Sequence, residues 1–156
     1  IDWIGVNYYT RTIVKKDNNE KYFGFKALKG NLPKTDMGWE IYPEGLTNVV
    51  MKLIKNYSKK TPIYITENGM AHKETFENDK VVDIERINFY EKHLKEIKQL
   101  LNKGVPLRGF FAWSLLDNFE WAYGYSKRFG LIYVDFESLK RTPKSSWFEF
   151  KKVLNK

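Results

Sequence analysis

Three stretches of this sequence end in side chains able to do chemistry. The apolar run Ile63-Tyr64-Ile65-Thr66 stops at Glu67-Asn68-Gly69, putting a carboxylate where a strand would give out. Asn7 and Tyr9 close an aromatic and β-branched run over residues 2–10, and Trp113 to Trp121 encloses Asp117, Asn118 and Glu120. A carboxylate can attack as a nucleophile or shuttle a proton, and neighbouring Trp rings offer flat apolar faces. That combination suits a sugar, whose C–H faces pack on rings while its hydroxyls bond to carboxylates.

Each of these features has a plainer reading. Asn-Gly is the commonest hairpin signal, so Glu67 could be the polar lip of a turn. A hairpin needs a second alternating strand straight afterwards, whereas residues 70–75 are polar and soon give way to a helix. Trp113 and Trp121 could be core residues. His72 and His93 read as ordinary, since no second ligand at metal spacing accompanies either.

The positioning elements follow from periodicity. Residues 2–10 read as a buried strand, and residues 11–38 as a long loop with a small hairpin turning at Asp17-Asn18-Asn19. From Pro43, the residues Leu46, Val49, Val50, Leu53, Ile54 and Tyr57 recur at the spacing of one helix face. A strand follows over 63–66. A second helix starts at Asp83 as N-cap, carries Ile84, Ile87, Tyr90, Leu94, Ile97 and Leu101, and stops at Gly104. Strand 108–114, a strand-like run 129–136 and a helix over 145–154 complete the order. This alternation predicts α/β units on a parallel sheet, where the C-terminal strand ends converge on the ligand site. Those ends carry Asn7 and Tyr9, then Glu67, then residues 113–121.

Composition sets the outer bounds. The 156 residues are 42% hydrophobic and 17% aromatic, enough for a packed core and against disorder. No cysteine is present, which excludes disulfides, thiolate metal sites and a cysteine nucleophile. No run of about 18 apolar residues marks a membrane span. The net charge of +8 invites a nucleic-acid reading, but Lys15-Lys16, Lys59-Lys60 and Lys151-Lys152 are short clusters at probable loops or helix ends, and no recognition motif accompanies them. The expected partners therefore include neither nucleic acid nor membrane. Ile1 begins directly on a strand-like run without an initiator Met or leader pattern, so the chain is expected to be part of a longer protein. The compartment stays open, with cytoplasmic favoured over secreted.

Together, Asn7-Tyr8-Tyr9, Gly38-Trp39-Glu40-Ile41-Tyr42-Pro43-Glu44-Gly45-Leu46, Ile65-Thr66-Glu67-Asn68-Gly69 and Trp113-Ser114-Leu115-Leu116-Asp117-Asn118-Phe119-Glu120-Trp121 resemble glycoside hydrolase family 1, the β-glucosidases. Gly124 to Leu131 and Arg141 to Ser146 continue the match, which covers essentially the whole chain in the family's order. The resemblance implies a (β/α)8 TIM barrel of which residues 1–156 are the C-terminal fragment of one catalytic domain, about the last three βα units. A complete barrel takes about 250 residues.

By the same resemblance, Glu67 matches the catalytic nucleophile of a retaining β-glycosidase, and Tyr9 the tyrosine that hydrogen-bonds it. Asn7, Trp113, Glu120, Trp121 and Phe129 match the pocket around the sugar. Trp39 matches the leaving-group side, with a buried anchor for the helix after Pro43 as its other reading. The family's acid/base lies in an Asn-Glu-Pro motif that does not occur between Ile1 and Lys156. The chain alone is therefore expected to be inactive, with a β-glucoside or oligosaccharide as substrate and the missing barrel part, or a second copy, as partner. A non-catalytic, self-associating fragment is the alternative. Family members acting on 6-phosphosugars replace the Glu-Trp pair kept here at Glu120-Trp121, which favours an unphosphorylated glycone. Nothing in the pattern asks for a metal or an organic cofactor.

Overall fold

A computed structural model describes residues 1–57, 59–78 and 80–155. In chain order the elements are β1 (Ile4–Asn7), β2 (Ile13–Lys16), β3 (Phe25–Leu28), α1 (Glu44–Asn56), β4 (Ile63–Asn68), β5 (Thr75–Glu77), β6 (Lys80–Val82), α2 (Ile84–Asn102), β7 (Leu107–Ala112), β8 (Ile132–Val134), β9 (Arg141–Pro143) and α3 (Ser145–Leu154). β1, β4 and β7 form one parallel sheet with β4 in the middle; β2–β3, β5–β6 and β8–β9 are antiparallel pairs. Three strands running the same way, each followed by helical chain, fulfil the predicted α/β pattern. Among the described residues no helix is long and apolar enough to cross a membrane.

One face of the sheet is buried and the other is open. Val6, Ile63, Ile65 and Leu107 pack with Leu46 and Val50 of α1 and Ile97 and Leu100 of α2 in the main core. Each such side chain taken fully out of water contributes about 1.5–3 kcal/mol. A second cluster, Met70, Phe89, Tyr90 and Leu131, takes in Trp147 and Phe150 of α3. On the opposite face Gly5, Asn7 and Phe111 are exposed, and Trp3 is half-exposed beside Tyr64.

Local departures from the sequence reading have identifiable causes. The first strand is four residues long rather than nine, because only Ile4–Asn7 finds a partner in β4. Residues 70–75, read as polar, begin with Met70 and Ala71 fully buried and lead into the β5–β6 hairpin before α2. That hairpin is too short for an alternating signal to stand out. The buried stripe of α2 is Arg86, Phe89, Tyr90, His93, Ile97 and Leu100, whereas Ile84 and Leu101 are exposed. The helix packs against both α1 and α3, so its covered face is set by two neighbours rather than by one apolar ridge.

Asp83 precedes α2 as expected, but its side chain does not cap that helix. It instead accepts from the backbone N–H of Ser146 at 2.8 Å and from the Ser146 hydroxyl at 2.6 Å, capping α3 from across the structure, and it pairs with the Arg86 guanidinium. Arg86 also reaches Glu74, and Lys144 joins Glu74 to Asp117, so a buried cluster of alternating charge links α2, α3 and the loops between them.

His93 lies fully buried on Phe89, its Nδ1 2.8 Å from the Phe89 carbonyl oxygen. Burial pulls its pKa down to about 4, so the imidazole is neutral in the folded chain. The unfolded chain binds the proton more readily, so stability is complete above pH 6.5 and falls as the pH drops from 6.5 towards 4. That loss reaches about 3 kcal/mol at its full extent. In His93→Gln, thermal melts across pH 4–7 should lose most of this acid limb.

Candidate active site

The main-chain ladder extends beyond the three strands and brings their ends together. The backbone N–H of Tyr8 donates to the Glu67 carbonyl at 2.9 Å, and that of Trp113 to the Asn68 carbonyl at 2.8 Å. Alternation along the chain then sorts the side chains. Tyr8 points into the core, while Tyr9 turns the other way. Asn68 is buried and donates to the Tyr8 carbonyl at 2.8 Å, leaving Glu67 partly open. No side chain fits at Gly69, because a Cβ there would lie 1.8 Å from the Trp113 carbonyl oxygen. Close approach of β4 to β7, and not a hairpin turn, explains the Asn-Gly pair.

Tyr9, Trp39, Glu67, Trp113, Glu120, Trp121 and Phe129 line one cavity of about 450 Å3. The Tyr9 hydroxyl donates to Glu67 Oε2 at 2.7 Å. Burial, this bond and the charges of Glu67 and Glu120 push the Tyr9 phenol well above its usual range, so it stays protonated and remains a donor. Tyr9 packs on Trp39 with ring centroids 5.4 Å apart and on Phe129 at 6.2 Å; Trp39 and Phe129 lie 6.2 Å apart. Phe129 is buried, whereas Trp121 stands 84% exposed at the rim. Glu120 is nearly covered, and its Oε2 faces the amide nitrogen of Asn118 at 3.5 Å.

Of the residues matched to the nucleophile and the sugar pocket, Asn7 lies outside the cavity lining. It is paired with Glu67 in the ladder, but its side-chain oxygen accepts from the Thr66 hydroxyl at 2.6 Å on the open face of the sheet. Asp117, read with Asn118 and Glu120 as a converging polar group, is buried among cations instead. Trp39 packs on Tyr9 and Phe129 and so belongs to the site rather than anchoring α1. His72 stands between Asp36 at 3.8 Å and Glu85 at 3.3 Å, and among the described residues no cluster able to hold a metal occurs.

Glu40, next to Trp39 in the chain, has no role in the sequence reading, yet it ties three segments together. Its carboxylate accepts from Arg11 Nε at 2.8 Å and from the Leu32 N–H at 2.8 Å, and its carbonyl accepts from the Thr10 hydroxyl at 2.9 Å. The Arg11 guanidinium stacks over Tyr42, 4.2 Å from the ring centroid. The bond from Arg11 and that from Leu32 hold the Glu40 carboxyl below its usual range. One acid beside Trp39 was the sole sequence signal, and nothing in its spacing pointed to partners at positions 11 and 32.

Comparison with known proteins places this geometry in a wider set. The model of glycosyl hydrolase family 1 matches residues 1–156. The chain is 45% identical over 155 residues to a 1,4-beta-D-glucan glucohydrolase of Thermotoga neapolitana, covering 99% of this chain and 34% of that protein. It is 39% identical over 170 residues to a 6-phospho-beta-galactosidase of Leptotrichia buccalis, covering 97% and 36%. A solved family 1 β-glucosidase from Thermotoga maritima superposes with a TM-score of 0.95 at 43% identity, over 99% of this chain and 35% of that one. The chain spans about a third of the length of the relatives it matches.

The Glu40 pair makes a pH-dependent contribution. A carboxyl held below its ordinary value stabilises fully above that value, and the contribution is lost as the pH falls through the lower folded-state pKa. Glu40→Gln should lower Tm at pH 7, and the gap from the unaltered chain should narrow on acidification below the carboxylate range, as read by circular dichroism melts.

Proposed function

Because the chain belongs to glycosyl hydrolase family 1, we propose that it is the C-terminal portion of a retaining β-glucosidase, with the nucleophile Glu67 in this chain and the acid/base outside it. The observation that carries the reading is the Tyr9 hydroxyl held on Glu67 at 2.7 Å inside a cavity walled by aromatic rings and a second carboxylate. The solved complex of Thermotoga maritima β-glucosidase with glucoimidazole, 43% identical, supports a glucoside-type ligand.

The reaction divides into two displacements. One Glu67 oxygen attacks the anomeric carbon as the bond to the leaving group breaks, giving a glycosyl ester on Glu67. Water then cleaves that ester, and two inversions leave the configuration retained. Tyr9, protonated throughout, occupies Oε2 and fixes the carboxylate plane, so Glu67 is oriented before the sugar arrives. Trp113 serves as the platform beneath the ring, Glu120 takes the outer hydroxyls with Trp121 beside it, and Phe129 closes the wall. Trp39 faces the leaving group. Asn7 stays outside this lining, its side-chain oxygen held by the Thr66 hydroxyl.

A second carboxyl about 5–5.5 Å from the nucleophile must protonate the leaving group and later activate water. Without it, attack forfeits most transition-state stabilisation, so residues 1–156 alone have negligible activity. Charge supports an unphosphorylated glycone: among the described residues the lining carries no cation, and Glu120 would oppose a phosphate dianion. Among the described residues β1 and β7 each lack a second neighbour, and Trp3 and Phe111 on the open face are more than half exposed. The remaining five βα units of the barrel would cover both edges and that face.

Hydrolysis of an aryl β-glucoside by this chain should not rise above that of Glu67→Gln. In the assembled barrel, Glu67→Gln should cut kcat by on the order of 10⁴-fold or more. Retention of near-parent turnover would remove the nucleophile assignment.

A second reading, a non-catalytic fragment that pairs with itself, is favoured by those same open edges. On size-exclusion chromatography the isolated chain should elute above its monomer size and return to a single heterodimeric species when the missing barrel part is supplied. A stable ideal monomer would count against edge pairing of either kind.

A further inference from the structure

We propose that Asp117 is a positioning residue for the sugar site, its carboxylate locking the base of the arm formed by residues 118–128. The arm carries Glu120 and Trp121 to the cavity, yet it has little apolar burial of its own. Phe119, Trp121, Tyr123 and Tyr125 are all at least half exposed. Inside the arm the Glu120 N–H donates to the Gly124 carbonyl at 2.7 Å and the Tyr123 N–H to the Glu120 carbonyl at 2.8 Å. Those bonds shape the arm without tying it to the barrel.

Outside the base the arm meets the rest of the chain where Lys127 Nζ donates to the Asp36 carbonyl at 2.6 Å, the Ser114 hydroxyl donates to Asn118 Oδ1 at 3.1 Å, and Tyr125 stacks on Phe136; the buried ties are at the base. Asp117 Oδ1 accepts from Lys144 Nζ at 2.8 Å and from the Gly130 N–H at 2.9 Å. Oδ2 accepts from Arg128 Nη1 at 2.7 Å and from the Val134 N–H at 3.3 Å. Asp117 thus joins the outgoing end of the arm to its returning end at Arg128, to β8 and to the head of α3. Arg128 adds a bond to the Val134 carbonyl at 2.8 Å and stacks on Tyr133 and Phe136. Gly130 permits the contact, because a Cβ there would lie 2.2 Å from the Asp117 nitrogen. Phe129 lies between Arg128 and Gly130, both bonded to Asp117, so the same carboxylate fixes a cavity wall as well as the rim.

Electrostatics make the lock specific to a carboxylate. Lys144 is fully buried, with Asp117 and Glu74 as its acidic partners, and Glu74 is shared with Arg86. An amide at 117 keeps the shape and an acceptor but leaves Lys144 and Arg128 short of a countercharge. A buried cation without its partner is strongly unfavourable. The strain falls on the arm, whose contacts beyond its base, such as Lys127 on the Asp36 carbonyl, are exposed.

The kinetic side of this inference rests on the reading of Glu120 as a glycone contact, so the test has two readouts. In the assembled barrel, Asp117→Asn should raise KM for an aryl β-glucoside about tenfold while active-site titration shows a full complement of sites. In the Glu120→Gln background the same change should add no more than about twofold, because Asp117 acts through Glu120. Amide hydrogen exchange should quicken across residues 118–130 with β1, β4 and β7 unchanged. Fewer active sites at unchanged KM, additive effects, or quickened exchange throughout the sheet would each overturn the proposal. Where Asp117→Asn does not fold, Arg128→Lys, altering the partly exposed partner, should reproduce the pattern at smaller amplitude, and its absence there overturns the proposal too. Should Glu120→Gln alone leave KM unchanged, the fault lies in the functional reading, and the exchange pattern decides the positioning role.

Discussion

The parallel ladder through β1, β4 and β7 is the constraint on which the remaining structure depends. Parallel pairing puts three C-terminal strand ends at one level, and the bonds from Tyr8 to Glu67 and from Trp113 to Asn68 carry the ladder one step further. Beyond the last paired residue, side chains alternate between the core and the space above the sheet. Tyr8 and Asn68 go down, Tyr9 and Glu67 go up, and the Tyr9–Glu67 bond follows from that geometry. A one-residue slip of β1 against β4 would send the phenol into the helices and away from the carboxylate.

What the ladder cannot hold, buried charge does. Asp83, Arg86, Glu74, Lys144, Asp117 and Arg128 alternate in sign, and all but Arg128 are almost wholly buried. Burial lowers the Lys144 pKa, while the carboxylates on either side favour its charged form. Such clusters add little net stability compared with apolar packing, because desolvation opposes the Coulombic gain, but each member is costly to leave unpaired. Their value lies in geometry. α3 is capped by Asp83, and the returning end of the arm over residues 118–128 is held by Asp117.

The sheet is finished on one face alone. Helices α1 and α2 cover Val6, Ile63, Ile65 and Leu107, whereas Trp3, Tyr64 and Phe111 look outwards from the other side. In a closed barrel that second face is an interior packed by side chains from every strand. The cavity and the open face thus share one piece of architecture. The strand ends that present Glu67 belong to a sheet with one open face and two unpaired edges among the described residues.

Sequence by itself determined the helices over 44–56, 84–102 and 145–154, the order of the parallel strands, and the residues lining the cavity apart from the place of Asn7. The elements were legible because apolar spacing reports burial locally, and Tyr9, Glu67 and the Trp113–Trp121 stretch because they stand out at strand ends; Trp39 and Phe129 came only from the resemblance to a known family. Tertiary structure decided the rest. Asp83 caps α3 rather than its own helix, Glu40 pairs with Arg11, and Asp117 binds Lys144, across 63, 29 and 27 residues of chain respectively. Charge pairing at such range leaves no periodicity in the sequence, since a carboxylate is compatible with any cation the fold brings near it. Only the closed geometry of the chain chooses among them.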